Sequence, residues 1–272
     1  MLQNLRDHHL VVVHDAAASR FPWETLQVDG ASPALNGGLS RRYLADNLPL
    51  AGWLEQRRQD GVVTLLLVID PTEDLEGARK EAQRIREIAA SMSKTLKLTE
   101  LLGAEAARQR VRDELRSGKY DVLHYAGHAF FDAGNPGSSG LTCAKGEVLT
   151  GADITGIGNL PSLVFFNACE AARTRGMAKK SATARQTAGL AESLLRGGIA
   201  NFMGTYWPVD DDAAAAFAAT FYKALLEPQP LGAAILSARN AVRALSPQTA
   251  RDWADYVLYG SYDFLLEELP QS

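Results

Sequence analysis

The segment Gly61-Val-Val-Thr-Leu-Leu-Leu-Val-Ile-Asp70 decides the fold class of this chain. It is an apolar run rich in β-branched side chains, and the turn pair Asp70-Pro71 follows it. A run that is apolar on both faces is typical of a buried strand in a parallel sheet. Thr72 is the predicted start of an amphipathic helix over 72–93, since this stretch carries apolar side chains at helical spacing. A strand followed by a helix, which is half of a βαβ unit, is therefore predicted.

The same alternation of strand and helix continues along the chain. The sequence predicts further strands over 95–100, 120–126, 162–167 and 199–203, and helices over 104–117, 189–195, 212–226 and 231–245. This order predicts an α/β fold with a mostly parallel, doubly wound sheet and helices on both faces.

The first 60 residues are less regular. A strand is predicted over 10–14, whereas 22–26 and 38–43 resemble loops and short elements. We expect residues 1–60 to form an N-terminal extension, either a small lobe or extra strands at one sheet edge, that packs on a core formed by residues 61–272. No low-complexity linker divides the chain, so a single domain is expected overall.

Composition excludes several classes of protein. The 272 residues are 46% apolar and 22% charged, with 28 basic and 32 acidic side chains and a net charge of −4. Two cysteines exclude a disulfide scaffold and favour a reducing, cytoplasmic setting. Neither a signal peptide nor a membrane span is expected, because the first residues lack a charged segment followed by an apolar one and no apolar run reaches the roughly 18 residues that span a membrane. Without a basic field, no nucleic-acid partner is expected.

Two predicted strands end in chemically active side chains. The strand over 120–126 runs through Gly127 into His128, and the strand over 163–167 runs into Cys169. Ligands of open α/β sheets bind at the carboxyl ends of the strands, and neighbouring strands lie about 4.8 Å apart. A thiolate is a nucleophile, and a neighbouring imidazole can carry its proton. The spacing therefore predicts a Cys169–His128 dyad.

Each of these residues also has a plainer interpretation. A lone cysteine after an apolar strand is usually a small buried hydrophobe, and a lone histidine usually packs or donates hydrogen bonds, a role that suits His124 better than His128. The pairing at matching strand ends favours the functional interpretation. Cys143 has no such strand end and receives no role. Neither cysteine lies at zinc-ligand spacing from the other cysteine or from a histidine, so neither a metal nor another cofactor is expected.

Four motifs identify a family resemblance. The segments His124-Tyr-Ala-Gly-His-Ala129, Asn167-Ala-Cys-Glu-Ala171, Gly204-Thr-Tyr-Trp-Pro-Val-Asp-Asp211 and Pro22-Trp-Glu24 resemble the CHAT family of caspase-like cysteine peptidases, which are relatives of separase, gingipains and caspases. The resemblance implies a three-layer caspase-like fold. Asn167 and Glu170 depart from the Gln-Ala-Cys signature of caspases, so caspase-type aspartate specificity is not implied.

The resemblance also implies a mechanism and a specificity. Cys169 would attack the scissile carbonyl, His128 would protonate the leaving amine, and the backbone N–H groups of Cys169 and Ala129 would form the oxyanion hole. In separase-like relatives an aspartate after the strand that follows the nucleophile lies beneath a basic P1 side chain. The corresponding S1 candidates are, in order of preference, Asp211, Asp210 and Asp153. An ordinary helix N-cap is the competing interpretation of Asp210 and Asp211.

Residues 171–186 carry five basic side chains and no acidic one. A solvated loop is the plain interpretation. The alternative, implied by the resemblance, is an activation loop that orders or is cleaved when the enzyme is switched on.

The function implied by the resemblance is a cysteine endopeptidase that clips a partner protein after a basic or small P1 residue. Bacterial antiviral defence or programmed cell death is the implied setting, with a gasdermin-like pore-forming protein as a candidate substrate and a separate sensor or activator protein. Two alternatives remain open: a catalytically silent interaction module with the same fold, and a thiol hydrolase or acyltransferase acting on a small molecule.

Overall fold

A computed structural model of the chain describes residues 8–15, 17–43, 62–92, 96–132, 135, 138–167, 189–206, 209–245 and 251–265. The strands in these ranges are β1 Leu10–His14, β2 Leu39–Tyr43, β3 Val63–Ile69, β4 Leu96–Leu102, β5 Val122–Ala126, β6 Ala129–Phe130, β7 Gly140–Thr142, β8 Val148–Thr150, β9 Leu163–Asn167, β10 Asn201–Thr205 and β11 Tyr256–Tyr259. The helices are α1 Pro33–Asn36, α2 Glu76–Ser91, α3 Arg108–Arg116, α4 Gly151–Ile154, α5 at 189–196, α6 Asp211–Leu225 and α7 Leu231–Leu245.

The main sheet has eight strands in the order β1-β2-β11-β10-β9-β5-β3-β4. Neighbouring strands run parallel except β10 and β11, which are antiparallel. A small antiparallel sheet, β6-β7-β8, is inserted between β5 and β9. The predicted fold class, a mostly parallel sheet within an α/β fold, is confirmed.

Helices cover both faces of the main sheet, which gives three layers. Helices α2, α6 and α7 pack on one face, here the α2 face, and α3, α4 and α5 pack on the other, here the α3 face. In β3, Leu65 and Leu67 face the α2 side while Leu66 and Val68 face the α3 side, and all four are fully buried. Burial on both faces explains why this strand is an uninterrupted apolar run. No helix in the described ranges is long and apolar enough to cross a membrane.

Two strands of the main sheet were not predicted. Residues 38–43 resemble a loop because Arg41 and Arg42 interrupt the apolar pattern, yet β2 is a strand in which Arg41 is fully buried. The other is β11, a short strand near the end of the chain. With β1, β2 extends the main sheet beyond β11, as extra strands at one edge.

A buried carboxylate compensates Arg41 and ties the N-terminal segment to the sheet. Glu24 lies in a short 3-10 turn, and it, Arg41 of β2 and Arg239 of α7 are all 0% exposed. Arg41 donates from Nε to Oε1 of Glu24 at 3.0 Å and from Nη2 to Oε2. Arg239 approaches Oε1 to 3.9 Å and donates to the carbonyls of Leu39 and Tyr256. Three segments of the chain therefore share one carboxylate.

Replacing Glu24 by alanine is expected to destabilise the protein strongly. The substitution leaves Arg41 and Arg239 buried without a counter-charge, which typically costs about 3–5 kcal/mol. Urea unfolding measures this loss. The control is Glu76→Ala, because Glu76 is 83% exposed and pairs only at the surface with Lys80, and a change within about 0.5 kcal/mol is expected there. Equal losses in the two variants would contradict the prediction.

Candidate active site

The carboxyl ends of β5 and β9 meet in register. Val122 pairs with Leu163, and the pairing continues to the last residues of both strands, Ala126 and Asn167. His128 therefore lies two residues beyond one member of the final pair, and position 169 lies two residues beyond the other. Cys169 itself lies outside the described residues, as do the rest of 168–188 and Trp207-Pro208.

His128 is partly exposed at this edge and contacts Asp74. Its side chain is 32% exposed, and Nε2 lies 3.1 Å from Oδ1 and 3.2 Å from Oδ2 of Asp74. An ionised carboxylate can only accept a hydrogen bond, so Nε2 carries the proton and Nδ1 of the neutral ring carries the lone pair. Asp74 thus selects the tautomer and the orientation of His128.

Asp74 is held by a tight turn between β3 and α2. The carboxylate of Asp70, which is fully buried, accepts from the N–H groups of Asp74 at 2.9 Å and Leu75 at 3.0 Å, and from Nε of Arg79 at 2.8 Å. Asp70 and Glu73 adopt positive φ angles of 43° and 61°. The predicted helix start at Thr72 is therefore wrong: the first helical residue is Glu76, because Asp70 binds the preceding residues in a turn.

Asp74 stays ionised to low pH. The hydroxyl of Thr72 donates to Oδ1 of Asp74 at 2.5 Å, and this bond, with a smaller contribution from His128, lowers the pKa of the Asp74 carboxyl below its ordinary value.

Sequence analysis missed Asp74. It could have been found by asking which polar side chains follow β3, since β3 is the other neighbour of β5 and ends at the same edge.

Gly127 is required for close packing. A Cβ at this position would lie 2.5 Å from the hydroxyl oxygen of Tyr125. That oxygen lies 2.6 Å from the carbonyl oxygens of both His128 and Thr142, so Tyr125 fixes the backbone on either side of the turn. Because its φ is not positive, Gly127 serves the approach of Tyr125 and not a left-handed turn.

The other cysteine is unsuited to nucleophilic chemistry. Cys143 is 1% exposed on the α3 face, and burial raises the pKa of its thiol to about 12. It is therefore protonated at neutral pH. Within the described ranges, no group of three or more histidine, cysteine, aspartate and glutamate side chains could hold a metal ion.

Asp210 and Asp211 begin α6, just past the end of β10. Asp210 is the N-cap, and its Oδ1 accepts from the N–H of Asp212 at 3.0 Å. Asp211 reaches the start of α2, where it lies close to Gly77 and where its Oδ2 is 3.8 Å from Nζ of Lys80. Its side chain is 29% exposed. The structure thus places Asp211 beside the first turn of α2, and Asp74, which contacts His128, lies just before that turn.

Asp153 lies in a different setting. It belongs to α4 on the α3 face, where it forms a capping box with Thr150 and an ion pair with Arg108. Burial raises the pKa of Asp153, but the bonds from Thr150 and Arg108 outweigh it, so the pKa lies below its ordinary value. Its carboxylate serves two structural partners on the α3 face, whereas Asp211 lies beside the first turn of α2, next to the turn that carries Asp74.

Known structures share this architecture. Separase, in the Saccharomyces cerevisiae separase–securin complex, matches with a TM-score of 0.57 and 14% identity over 93% of this chain and 15% of the separase chain. Gingipain R, an Arg-specific cysteine proteinase, matches with a TM-score of 0.55 and 10% identity over 95% of this chain and 64% of that chain. This chain therefore spans only part of each relative. The caspase-like fold is confirmed.

Sequence comparison identifies the family of the chain. No curated protein matches the chain significantly. The model of the CHAT domain family matches residues 1–261, which include all four motifs that suggested this resemblance. The chain belongs to the CHAT domain family.

Proposed function

We propose that this protein is a cysteine endopeptidase in which Cys169 and His128 form the catalytic dyad. The observation that supports the proposal is the register of β5 and β9, in which Ala126 pairs with Asn167, since His128 and Cys169 each follow that pair by two residues in sequence. Membership of the CHAT family and a fold like that of a cysteine proteinase support it.

The tautomer of His128 suggests the direction of proton transfer. With Nε2–H directed to Asp74, Nδ1 is the nitrogen that takes the proton of the Cys169 thiol. The thiolate attacks the scissile carbonyl carbon, and the N–H groups of Cys169 and Ala129 stabilise the oxyanion. As the C–N bond breaks, Nδ1 returns the proton to the leaving amine and a thioester remains, which water then hydrolyses. Asp74 is a positioning residue for His128.

The proposed substrate is a partner protein cleaved after a basic or small P1 residue. Asp211, with Asp210 beside it, is the proposed S1 carboxylate for Arg or Lys, and the arginine specificity of gingipain R is a parallel in a related fold. Family resemblance supports a cytoplasmic role in bacterial defence or cell death, a gasdermin-like pore-forming substrate and a separate activator protein. Residues 171–186 are the proposed activation loop.

Fluorogenic peptides with Arg, Lys, Ala, Asp or Leu at P1, together with mapped iodoacetamide labelling, test the dyad. The wild-type protein is expected to cleave the Arg and Lys peptides, and Cys169→Ala or His128→Ala to lower kcat by about a thousandfold or more. Cys143→Ala is the matched control and should keep its activity, because that thiol is buried in the apolar packing of the α3 face.

The labelling separates the alternatives. A reactive Cys169 without peptide cleavage would favour the small-molecule thiol hydrolase or acyltransferase. An unreactive Cys169 in a folded protein that cleaves no peptide would contradict the proposal and favour the interaction module.

Replacing Asp74 by asparagine is expected to lower kcat by about tenfold to a hundredfold with little change in KM, because the amide no longer selects the Nε2–H tautomer. In the wild type, the lowered pKa of Asp74 keeps the carboxylate ionised as the pH falls, and its contribution is lost only as the pH passes through that lowered value. Steady-state kinetics across pH measure both effects. Asp113→Asn on α3 is the control, and an equal loss there would contradict the role of Asp74.

Replacing Asp211 by asparagine tests the S1 assignment. The kcat/KM for Arg peptides is expected to fall about tenfold or more, because the cationic P1 group loses its counter-charge. The value for the Ala peptide should stay unchanged. Asp212→Asn removes a neighbouring, more exposed charge and serves as the control. A parallel fall for both peptides would contradict a role of Asp211 in specificity.

A further inference from the structure

Four polar side chains are buried on the α2 face beneath the carboxyl ends of β5 and β9. They are Glu81 of α2, His124 of β5, Asn167 of β9 and Tyr222 of α6, and each is at most 2% exposed. We call them the buried polar cluster. Each comes from a different element, so the cluster connects two helices to the two strands that lead to the proposed dyad.

Glu81 is the centre of this cluster. Its Oε1 accepts from Nδ2 of Asn167 at 2.8 Å and lies 3.1 Å from Nε2 of His124. The other ring nitrogen of His124, Nδ1, lies 2.7 Å from the hydroxyl oxygen of Tyr222. Burial raises the pKa of Tyr222 well above its ordinary value, so the phenol stays protonated and its O–H donates a hydrogen bond to Nδ1. Nε2–H of His124 then faces Glu81, and one carboxylate oxygen contacts both strands.

Stability alone does not account for the cluster. A buried carboxylate carries a desolvation penalty, and apolar side chains of similar volume are often equally or more stabilising. Within the part of the chain that the structure describes, Oε2 of Glu81, Oδ1 of Asn167 and Nε2 of His124 have no well-aligned hydrogen-bond partner, although Nε2 lies 3.1 Å from Oε1 of Glu81, and this adds to the cost. Fixed geometry is the property that a hydrogen-bonded cluster supplies and an apolar one does not.

Glu81 lies on α2 where it can link the turn that holds Asp74 to the end of β9. Asp74, which orients His128, lies just before α2, and Glu81 lies in its second turn. Asn167 is the last residue of β9 that pairs with β5. The turn before α2 therefore contacts His128 through Asp74, and α2 itself contacts the end of β9 through Glu81.

We infer that Glu81 and Asn167 are positioning residues: the Glu81–Asn167 hydrogen bond fixes the end of β9 relative to β5, and so fixes the approach of the nucleophile to His128. This inference rests on the proposed function, because the nucleophile is Cys169. His124 supports Glu81 from β5, with Tyr222 holding the imidazole from the opposite side.

Asn167→Ala, Glu81→Gln and a matched control, Asn201→Ala, test the inference. Asn201 is also a buried strand asparagine, but it lies at the start of β10, where it bonds Ser162 and Ser261 at the opposite edge of the sheet. Three measurements are compared in the full chain: the midpoint of urea unfolding, kcat and KM for the Arg peptide, and the rate of Cys169 alkylation by iodoacetamide as a function of pH.

Asn167→Ala is expected to lower kcat about tenfold to a hundredfold, because small misplacements of reacting groups have effects of that size. KM should change less than about twofold. The midpoint of the alkylation profile should move towards the value of an ordinary thiol, about 8.5. Glu81→Gln, which keeps the shape of the side chain, should change kcat and the profile in the same direction. Asn201→Ala should lower the unfolding midpoint while leaving kcat and the profile at their wild-type values.

The inference is overturned if Asn167→Ala and Glu81→Gln match Asn201→Ala in kcat and in the alkylation profile. Failure of the proposed function gives a different result, in which the wild-type protein cleaves no peptide. In that case the alkylation profiles still decide the inference: a shift in Asn167→Ala and Glu81→Gln supports it, and coincident profiles overturn it.

Discussion

The parallel pairing of β5 with β9 is the constraint on which the candidate site depends. Both strands are fully buried, with one set of side chains on the α2 face and the other on the α3 face. A slip of either strand by one residue would move all of its side chains to the opposite face, and would take His124 or Asn167 away from Glu81. In this register the last paired residues are Ala126 and Asn167, and positions 128 and 169 each follow that pair by two residues in sequence.

Helix α2 and the turn before it contact the residues around this strand end. Its preceding turn, organised by the buried carboxylate of Asp70, places Asp74 against His128. Its second turn places Glu81 against Asn167, and its first turn meets Asp211 of α6. Three functions of the proposed peptidase, namely orientation of the imidazole, placement of the nucleophile strand and recognition of P1, thus share one rigid element. Rigid elements position reacting groups better than loops do.

The N-terminal segment contacts Tyr206, the residue that follows β10. Arg41, held by Glu24, lies with its guanidinium carbon 5.0 Å from the ring centre of Tyr206. The hydroxyl of Tyr206 donates to the carbonyl of Ser19 at 3.2 Å. The motif Pro22-Trp-Glu24 therefore stabilises the start of the segment that leads to Asp210 and Asp211. The motif lies more than 180 residues before Asp210 in the sequence, so sequence patterns alone do not show this contact.

The sequence by itself determined the fold class, the strands that precede His128 and Cys169, and the family, because buried parallel strands are apolar on both faces and the proposed active side chains follow their carboxyl ends closely. Only the tertiary structure revealed β2 as a strand, since Arg41 looks exposed until Glu24 is brought to it from 17 residues away. It alone joined Asp74 to His128 and Glu81 to Asn167, which are 54 and 86 residues apart. Hydrogen bonds across such separations depend on how the elements pack, and side-chain periodicity records only the face that each element buries.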